Sequence, residues 1–339
     1  MTVSPECNLA RLVRGRLSFD RTAAILDLLE IAPELLAPSG ESVPRSVVAM
    51  AMNVLLFDDL VKRAPTGGAY VADLQSAGGK VMFDHGALRT IRFAEGPTGG
   101  LPSGEEAFTR VFLPLGYALA GLYPLDRLKM TGRAYAHLDL PEAIPQFFLS
   151  ELHVDRFSPA FGEAAVRVFG DSQDPLSGAS NVLLAQLAAE GQADFTLAEA
   201  GLPGLVAAFG RHHPIPTVED YETLLAESSE AAWIATEGSA FNHATDRVAD
   251  VEAVAEAQRR AGRLIKDEVE ISSSGRVRQT AFKADPVERL FHHGERVIAR
   301  TVPGSFYEFI TRDPLPAGGL DLRFDSANAQ GIFKMTAAR

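Results

Sequence analysis

The sequence predicts an α+β fold with two modules of the order strand, helix, strand, strand, strand, joined by added helices at the N-terminus and in an insertion. Three observations lead to this prediction. Apolar residues recur at helical spacing from residue 1 to about 75. Segments rich in β-branched and aromatic residues then alternate with a helical segment twice, loosely in 80–154 and clearly after about residue 240. Residues 160–230 between them return to helix-and-loop sequence.

The N-terminal region, residues 1–79, is predicted to be helical and to pack on the core. Asp20 is the predicted N-cap of its first helix, because aspartate accepts from free backbone N–H groups there. Apolar residues follow at helical spacing at Ala24, Ile25, Leu28, Leu29 and Ile31. Ser46 to Val61 predicts a second, more apolar helix. Thr66-Gly67-Gly68 and Gly78-Gly79 are predicted to be turns.

Residues 80–312 are predicted to form a metal-binding core that contains both modules. The segment VMFDHGALRTIRF, which follows Lys80, favours a strand, and Glu105 to Leu119 favours a helix. Extended pieces are predicted at Gly132 to Asp139 and at Phe147 to Val154. These elements make up the first module.

The second module follows a helical insertion at about 160–230. A strand carries Asn242-His243, and Asp250 is expected to cap a helix that ends near Gly262. Extended pieces are then predicted at Leu264 to Ile271, Val277 to Ala284, Val297 to Val302 and Ser305 to Thr311. Residues 313–339 are expected to be a closing segment with a short helix in NAQGIFKMT.

Composition excludes several classes of function. The chain has 339 residues, and its 32 basic and 44 acidic residues give a net charge of −12, which argues against a nucleic-acid or anionic-membrane binder. The net charge does not exclude a small anionic substrate that is bound locally by an arginine. Cys7 is the only cysteine, so an intrachain disulfide and a thiolate metal site are excluded. No secretory h-region or membrane-length apolar run of ~18 residues is present, which predicts a soluble cytoplasmic protein.

Three polar residues lie in separate apolar, strand-like segments. They are His85 in VMFDHGALRT, His243 in IATEGSAFNHATDRV and Glu308 in GSFYEFITR. Two imidazoles and one carboxylate form the facial triad that suits non-haem Fe(II) in oxygenases. Each residue alone has another interpretation, since His243 could be structural and Glu308 could face water or pair with Arg312. The prediction of an iron site therefore depends on whether the fold brings the three together.

Arg89 is the candidate for binding a substrate carboxylate. It lies four residues after His85, and positions i and i+4 of a strand point to the same face unless the strand bends at Gly86. A guanidinium holds a carboxylate through two parallel hydrogen bonds. The alternative is a structural ion pair between Arg89 and Asp84 or another acid.

Other candidates are weaker. Glu151 and His153 share a strand face and are the main competing ligands, and Glu151 could approach from the first module. Gln279 and Lys283, at i and i+4 on one strand, are candidates for a second polar contact. The pairs His212-His213 and His292-His293 are expected at the surface or behind the ligands. The chain has no GxSxG, P-loop, GxGxxG or HExxH motif.

The paired modules resemble the vicinal oxygen chelate fold, in which two modules form a cupped mixed sheet around a metal. The ligands of that fold lie on the first strand of each module and on a fourth strand, as His85, His243 and Glu308 do here. The segments FDHGALRT, PQFFLSELHV, FNHATDRV, QTAFKA, VPGSFYEFITR and FDSANAQGIFKMT resemble the 2-oxoadipate dioxygenase/decarboxylase family. They extend from about residue 80 to the C-terminus.

The resemblance implies Fe(II) bound by His85, His243 and Glu308, and a substrate held by Arg89. It also implies conversion of 2-oxoadipate and O2 into 2-hydroxyglutarate and CO2, a step of lysine catabolism. The chain is shorter than better-known bacterial members, so the resemblance identifies no further specificity residues. Two alternatives stay open: another vicinal oxygen chelate chemistry, such as ring cleavage or glyoxalase-like isomerisation, and a non-catalytic metal- or ligand-binding protein.

Overall fold

The computed structural model of the chain describes residues 3–38 and 40–325. The α-helices of this part are α1 Asn8–Arg14, α2 Phe19–Leu28, α3 Arg45–Arg63, α4 Pro65–Ser76, α5 Glu106–Phe112, α6 Pro159–Phe169, α7 Gly178–Glu190, α8 Phe195–Ala207, α9 Val218–Glu227, α10 Ser229–Glu237 and α11 Val251–Arg260. Its strands are β1 Ser42–Pro44, β2 Phe83–Arg92, β3 Tyr117–Leu125, β4 Met130–His137, β5 Gln146–His153, β6 Gln192–Asp194, β7 His243–Arg247, β8 Glu270–Ile271, β9 Val277–Ala281, β10 Pro286–His293, β11 Arg296–Pro303 and β12 Phe306–Arg312.

Eight strands form one mixed sheet, in the order β3-β4-β5-β2-β7-β12-β9-β8. In each half the first strand of a module pairs in parallel with its last strand, β2 with β5 and β7 with β12. An antiparallel pair between β2 and β7 joins the halves. The sheet curls into a half-barrel, and the predicted α+β fold of the vicinal oxygen chelate type is confirmed.

The two modules differ in regularity. The first consists of β2, α5, β3, β4 and β5, in the predicted order. The second consists of β7, α11, β8, β9 and β12, interrupted by the hairpin β10–β11. The prediction that Val297 to Val302 would be a module strand is wrong, because β11 pairs with β10 in a separate two-stranded sheet. Phe291 and Val302 of this hairpin pack against Tyr221 and Leu224 of α9.

Both faces of the sheet are covered by helices. Successive residues of a strand point to opposite faces, and β2 shows the consequence. Leu88 belongs to the larger core, which contains residues of α1 to α5, α7, α8 and α11, whereas Ala87 belongs to a second core with α6, α9 and α10. The predicted N-terminal and inserted helices are therefore confirmed. Helices α3, α4 and α10 pack directly on the sheet, whereas α1 and α8 pack on α3, and α7 packs on α8.

The first N-terminal cap differs from the prediction. Ser18 caps α2, and its hydroxyl accepts a hydrogen bond from the Arg21 N–H at 3.2 Å. Asp20 instead lies in the first turn, where its carboxylate stabilises the N-terminal end of the helix dipole. The apolar helix predicted from Ser46 to Val61 is confirmed as α3.

The turn predicted at Thr66-Gly67-Gly68 is wrong, because these residues lie in the first turns of α4. The N–H and hydroxyl of Thr66 donate to the Asp285 carboxylate at 3.0 and 2.5 Å, which fixes the start of the helix. A Cβ on Gly67 would lie 2.7 Å from the Cβ of Tyr307. The glycine therefore permits close packing of α4 on β12 and does not reverse the chain. The turn predicted at Gly78-Gly79 is confirmed, with Gly78 at φ +75°.

Two predicted elements are too long. The helix expected from Glu105 to Leu119 ends at Phe112, because Pro114 has no backbone N–H to continue the helical hydrogen bonds and Gly116, at φ +90°, turns the chain into β3. Of the strand expected from Leu264 to Ile271, the structure contains β8 and an isolated bridge at Ile265.

The remaining predictions around α11 are confirmed. Asp250 accepts from the Ala253 N–H at 2.9 Å, and Gly262 follows the helix at φ +75°. The helix expected in NAQGIFKMT lies outside the described residues. Within the described residues, none of the helices is long and apolar enough to cross a membrane.

Candidate metal centre

Three neighbouring strands carry the predicted ligands: His85 on β2, His243 on β7 and Glu308 on β12. Thr245, two residues after His243, is the register partner of both His85 and Glu308. Directly opposed residues project to the same face of a sheet, as do residues two apart on one strand. The pairing of β7 with β2 on one side and with β12 on the other therefore brings all three side chains together.

The ligand atoms are close enough for a single ion. His85 Nε2 lies 3.7 Å from Glu308 Oε1, and His243 Nε2 lies 3.6 Å from Glu308 Oε2. Ligand atoms of all three residues lie within 4.8 Å of one another. Two atoms that are each ~2.1 Å from one ion are separated by about 3–4 Å at ordinary coordination angles. The convergence expected from the sequence is present, while metal binding itself stays a prediction.

Some polar atoms of this cluster have no hydrogen-bond partner among the described residues. The residues His85, His243 and Glu308 are 2%, 3% and 0% exposed. Among the described residues, neither ring nitrogen of His243 nor Oε2 of Glu308 has a hydrogen-bond partner. An unsatisfied buried polar atom costs about 1–3 kcal/mol, and a cation would remove this cost for Nε2 and Oε2. The donor set therefore fits a divalent ion, and two imidazoles with one carboxylate suit Fe(II).

A carboxylate next in the sequence orients the first ligand. His85 Nδ1–H donates to Asp84 Oδ1 at 2.8 Å, so the unprotonated Nε2 faces Glu308. Burial lowers the pKa of His85, although the hydrogen bond to Asp84 opposes the shift. Burial and the neighbouring His85 hold the pKa of His243 well below its ordinary value. Both shifts favour the neutral imidazole, which is the form that binds metals.

Two arginines hold Asp84 in turn. Arg312 Nε lies 3.0 Å from Oδ2 and Nη2 lies 2.9 Å from Oδ1, while Arg247 Nε lies 2.6 Å from Oδ2. Burial alone would raise the pKa of Asp84, but Arg312, the His85 hydrogen bond and Arg247 hold it well below its usual range. Arg312 thus pairs with Asp84, and the alternative in which it pairs with Glu308 is wrong.

Thr245 is a site residue that the sequence interpretation missed. Its Oγ1 lies 3.1 Å from His85 Nε2 and 3.4 Å from Glu308 Oε1. The alternation of side chains along a strand could have predicted it, because Thr245 lies two residues after His243 and so shares its face. The hydroxyl occupies the space between the two ligands on the side of β7.

A second missed residue is Lys266. Burial raises the pKa of Glu308 to about 8, and the Lys266 charge opposes the shift. The Lys266 backbone N–H donates to the carbonyl of Ala281, which is the register partner of Glu308. Its Nζ donates to Glu270 Oε1 at 2.8 Å, and Gln279 Nε2 donates to Glu270 Oε2 at 3.3 Å. No local pattern marks Lys266, which lies outside regular structure.

The predicted pair of Gln279 and Lys283 is only half present. Gln279 is buried on β9, two residues from the register partner of Glu308 and therefore on the same face. Lys283 lies beyond Ala281, where β9 ends, and its N–H donates to the Leu264 carbonyl at 2.8 Å. The prediction that the two share one strand face is wrong.

Arg89 lies on the same face as His85, as predicted, because β2 continues through Gly86 without a bend. The side chain is fully buried, and Nη2 lies 2.9 Å from Glu230 Oε2. The guanidinium carbon lies 4.9 Å from the centre of the Trp233 ring. An acid thus pairs with Arg89, and it is Glu230 of α10 rather than Asp84. A substrate role for Arg89 stays a prediction.

The competing ligands lie elsewhere. Glu151 is the register partner of Thr90, so it faces away from Arg89. Its Oε2 accepts from the Glu105 N–H at 2.7 Å, and its Oε1 lies 3.2 Å from Arg133 Nη1. His153 shares this opposite face. The suggestion that Glu151 approaches the site is wrong.

The two histidine pairs were expected at the surface or behind the ligands. This prediction is correct for His292-His293, which are exposed on β10. It is wrong for His213, which is buried and shares a hydrogen bond between Nε2 and the Ala235 carbonyl at 3.0 Å. Burial lowers the pKa of His213 to about 4. This histidine belongs to the core between α10 and the segment before α9.

The segment after β12 covers the site face. The Phe324 ring lies 4.8 Å from the His85 ring and 4.9 Å from the Phe148 ring. Gln146 Nε2 donates to the Leu322 carbonyl at 3.2 Å, and the Phe324 N–H donates to the Tyr123 hydroxyl at 3.1 Å. An aromatic cover therefore lies beside His85.

Comparison with known families gives a clear match. The model of a family described as 2-oxoadipate dioxygenase/decarboxylase matches residues 47–334. A comparison with curated proteins gives no match.

Several solved structures are similar to this chain. A glyoxalase superfamily protein from Ralstonia eutropha JMP134 is 51% identical over 94% of this chain and 98% of that chain, with a TM-score of 0.90. Hydroxyglutarate synthase from Oryza sativa, in complex with 2-oxoadipate, is 20% identical over 89% and 97%, with a TM-score of 0.65. The Pseudomonas putida hydroxyglutarate synthase, also in complex with 2-oxoadipate, is 20% identical over 88% and 74%, with a TM-score of 0.62. At this identity the two synthases show a shared fold alone.

Proposed function

The chain belongs to the 2-oxoadipate dioxygenase/decarboxylase family, and from this membership we propose that it is an Fe(II)-dependent enzyme. Its proposed reaction converts 2-oxoadipate and O2 into 2-hydroxyglutarate and CO2. We also propose that the reaction serves lysine catabolism in the cytoplasm.

One observation carries the proposal. Ligand atoms of His85, His243 and Glu308 lie within 4.8 Å of one another in a buried cluster. The ring nitrogens of His243 and Glu308 Oε2 have no hydrogen-bond partner among the described residues. These three residues would hold the iron. Bound Fe(II) would supply the redox chemistry for O2 and a Lewis acid for the 2-oxo carboxylate.

The proposed reaction is balanced in atoms and electrons. The C1 carboxylate of the substrate leaves as CO2, which leaves a five-carbon skeleton. One oxygen atom of O2 completes a carboxylate at the former keto carbon, and the other becomes the hydroxyl on the adjacent carbon. The four electrons that reduce O2 come from the cleaved carbon–carbon bond and the hydroxylated C–H bond.

Arg89 is proposed to hold the distal carboxylate. A guanidinium binds a carboxylate through parallel hydrogen bonds, which fix the orientation as well as the charge. Glu230 and Trp233 contact the guanidinium of Arg89, so its position is set before a substrate arrives. Holding the far end of the chain selects which carbon is hydroxylated, because reaction requires the correct carbon within about 3–3.5 Å of the oxidant.

The surrounding residues are proposed to exclude water and to fix protons. Phe324 and Phe306 pack against the His85 and His243 rings, with ring centres 4.8 Å apart in each pair. Asp84 keeps the proton of His85 on Nδ1. An apolar, closed site protects reactive intermediates from side reactions with water.

The test is anaerobic reconstitution with Fe(II), followed by a panel of 2-oxo acids in an oxygen electrode. We expect about one Fe(II) per chain and O2 uptake that requires a 2-oxo acid. 2-Oxoadipate should give equal amounts of O2 consumed, CO2 released and 2-hydroxyglutarate formed. 2-Oxohexanoate, which has the same chain length without the distal carboxylate, is the matched control for Arg89.

Other results would identify the alternatives. Turnover of a catechol would indicate ring cleavage, and isomerisation with Ni(II) or Zn(II) and no O2 uptake would indicate glyoxalase-like chemistry. Tight binding of 2-oxo acids without O2 uptake would indicate a non-catalytic protein. Failure of wild-type protein and His243→Ala alike to bind iron, with both folded, would reject the metal site.

A further inference from the structure

Arg312 connects the two outer ligand strands. It lies on β12, four residues after Glu308, and its side chain is fully buried. Its guanidinium donates to Asp84 of β2 with nitrogen–oxygen distances of 2.9 to 3.1 Å. In the sheet order, β7 lies between β2 and β12. The ion pair therefore spans the strand that carries His243.

The third nitrogen of the Arg312 guanidinium binds the segment after β12 that covers the site. Arg312 Nη1 donates to the carbonyls of Asp321 and Arg323 at 2.8 and 2.9 Å. The Arg312 guanidinium carbon lies 5.2 Å from the Phe324 ring centre, and that ring lies edge-on to His85. Arg312 therefore contacts both groups that hold His85: the carboxylate at Nδ1 and the aromatic ring beside it.

We propose that Arg312 is a positioning residue that acts through Asp84 and Phe324 to fix the His85 ring with Nε2 facing the metal site. The inference rests on the proposed metal centre but requires no particular substrate or reaction. Arg312 would thereby align His85 with the segment after β12 that covers the site.

The geometry requires an arginine at this position. Asp84 receives bonds from Nε and Nη2, and two carbonyls receive bonds from Nη1, so one planar group serves acceptors on both sides. A lysine has one nitrogen and cannot reproduce this fork. Arg247 contacts Asp84 Oδ2 alone, so it cannot fix both carboxylate oxygens.

The size of the effect follows from the chemistry of metal sites. Partners that hold a ligating histidine through its other nitrogen typically contribute 10- to 100-fold in metal affinity. We therefore expect Asp84→Asn and Arg312→Gln to weaken metal binding by about 10- to 100-fold. Arg312→Lys should lose nearly as much, since the charge alone does not fix the carboxylate.

The experiment uses the full chain and two readouts. The first is the dissociation constant for Co(II), and for Fe(II) without oxygen, in wild type and in the variants Arg312→Lys, Arg312→Gln and Asp84→Asn. The second is nitrogen-15 NMR of histidine-labelled, metal-free protein, which reports whether Nδ1 or Nε2 of His85 carries the proton. Arg278→Lys is the matched control, because Arg278 forms a two-bond ion pair with Asp313 near the sheet edge, at 2.8 Å for each bond.

Support requires weaker metal binding and a changed His85 signal in folded Arg312 variants, with the Arg278 control close to wild type. If Arg312→Gln does not fold, Arg312→Lys and Asp84→Asn carry the test. Folded variants with wild-type metal affinity, or with an unchanged His85 signal, would overturn the inference. Wild-type protein that binds metal but does not turn over 2-oxoadipate would reject the proposed reaction and leave this inference standing.

Discussion

The two histidines of the site are held in different ways. His85 is hydrogen-bonded at Nδ1 by Asp84, and its Nε2 lies 3.1 Å from the Thr245 hydroxyl. His243 has no hydrogen-bond partner among the described residues, and its ring packs against Phe306 at 4.8 Å. One ligand is oriented by a polar network, and the other by apolar packing.

This difference indicates how the site is prepared for a metal. The Asp84 network stabilises His85 whether or not an ion is present. The unpaired Nε2 of His243 and Oε2 of Glu308 leave a cost that binding of an ion would offset. A metal should therefore stabilise the folded protein, since any ligand that binds the folded state alone does so.

The largest effect should come from removing a ligand. His243→Ala, His85→Ala and Glu308→Ala should each lower the affinity for Fe(II) or Co(II) by more than about 100-fold, since each removes a direct bond to the ion. Metal should then no longer raise the thermal midpoint. His293→Ala, at an exposed position, is the control. A ligand variant that keeps wild-type affinity would exclude that residue from the site.

The Arg89–Glu230 pair should give the next largest effect. Arg89→Gln leaves Glu230 as an unpaired buried acid, and breaking such a pair costs about 3–5 kcal/mol. The double variant Arg89→Gln with Glu230→Gln should recover most of that stability, as measured by urea unfolding.

The same two variants separate stability from recognition. Both should raise KM for 2-oxoadipate at least tenfold, leave KM for 2-oxohexanoate nearly unchanged and keep metal loading intact. Equal loss of metal loading and of dicarboxylate binding would show that Arg89 has another role.

Apolar replacements test the comparison of the two histidines directly. In metal-free protein with EDTA, His85→Leu should cost about 1–3 kcal/mol, because Asp84 loses a hydrogen-bond donor. His243→Leu should be neutral or stabilising, because it removes two unpaired buried nitrogens. Urea unfolding measures both values. Equal losses of stability in His85→Leu and His243→Leu would mean that packing holds both rings.

The smallest effect concerns His213, a buried histidine away from the site. Its pKa is about 4 in the folded protein and near 6.5 in an unfolded chain. Because the folded pKa is depressed, its contribution to stability is present above about pH 6.5 and is lost as pH falls toward 4.

His213→Gln should therefore be less sensitive to acid than wild type. The difference in unfolding free energy between wild type and His213→Gln should change by on the order of 1 kcal/mol between pH 7 and pH 5.5. His293→Gln, at an exposed position, should show no such shift. Parallel pH profiles for wild type and His213→Gln would contradict the assignment.

The sequence alone pointed to the three candidate ligands, because each has a local signal. His85, His243 and Glu308 each stand in an apolar strand, where a buried polar group needs a partner. Their convergence depends on the pairing of β2 with β7, which rests on contacts far apart in the chain. It was inferred from the order of elements and from the family resemblance.

The missed features depend on tertiary contacts with no local pattern. Gly67 lies in a helix because α4 packs on Tyr307, although glycine pairs usually mark turns. Lys266 lies beside β9 outside regular structure, where its backbone N–H donates to the carbonyl of Ala281. The sequence pattern predicts no strand over β10 and a module strand over β11, whereas these two strands pair with each other and pack on α9.

The most direct test of the account is anomalous X-ray diffraction from crystals loaded with Fe(II) in the absence of oxygen. We predict one strong iron peak per chain, in contact with ring nitrogens of His85 and His243 and the carboxylate of Glu308. A peak at other residues, or none in this cluster under saturating Fe(II), would contradict it.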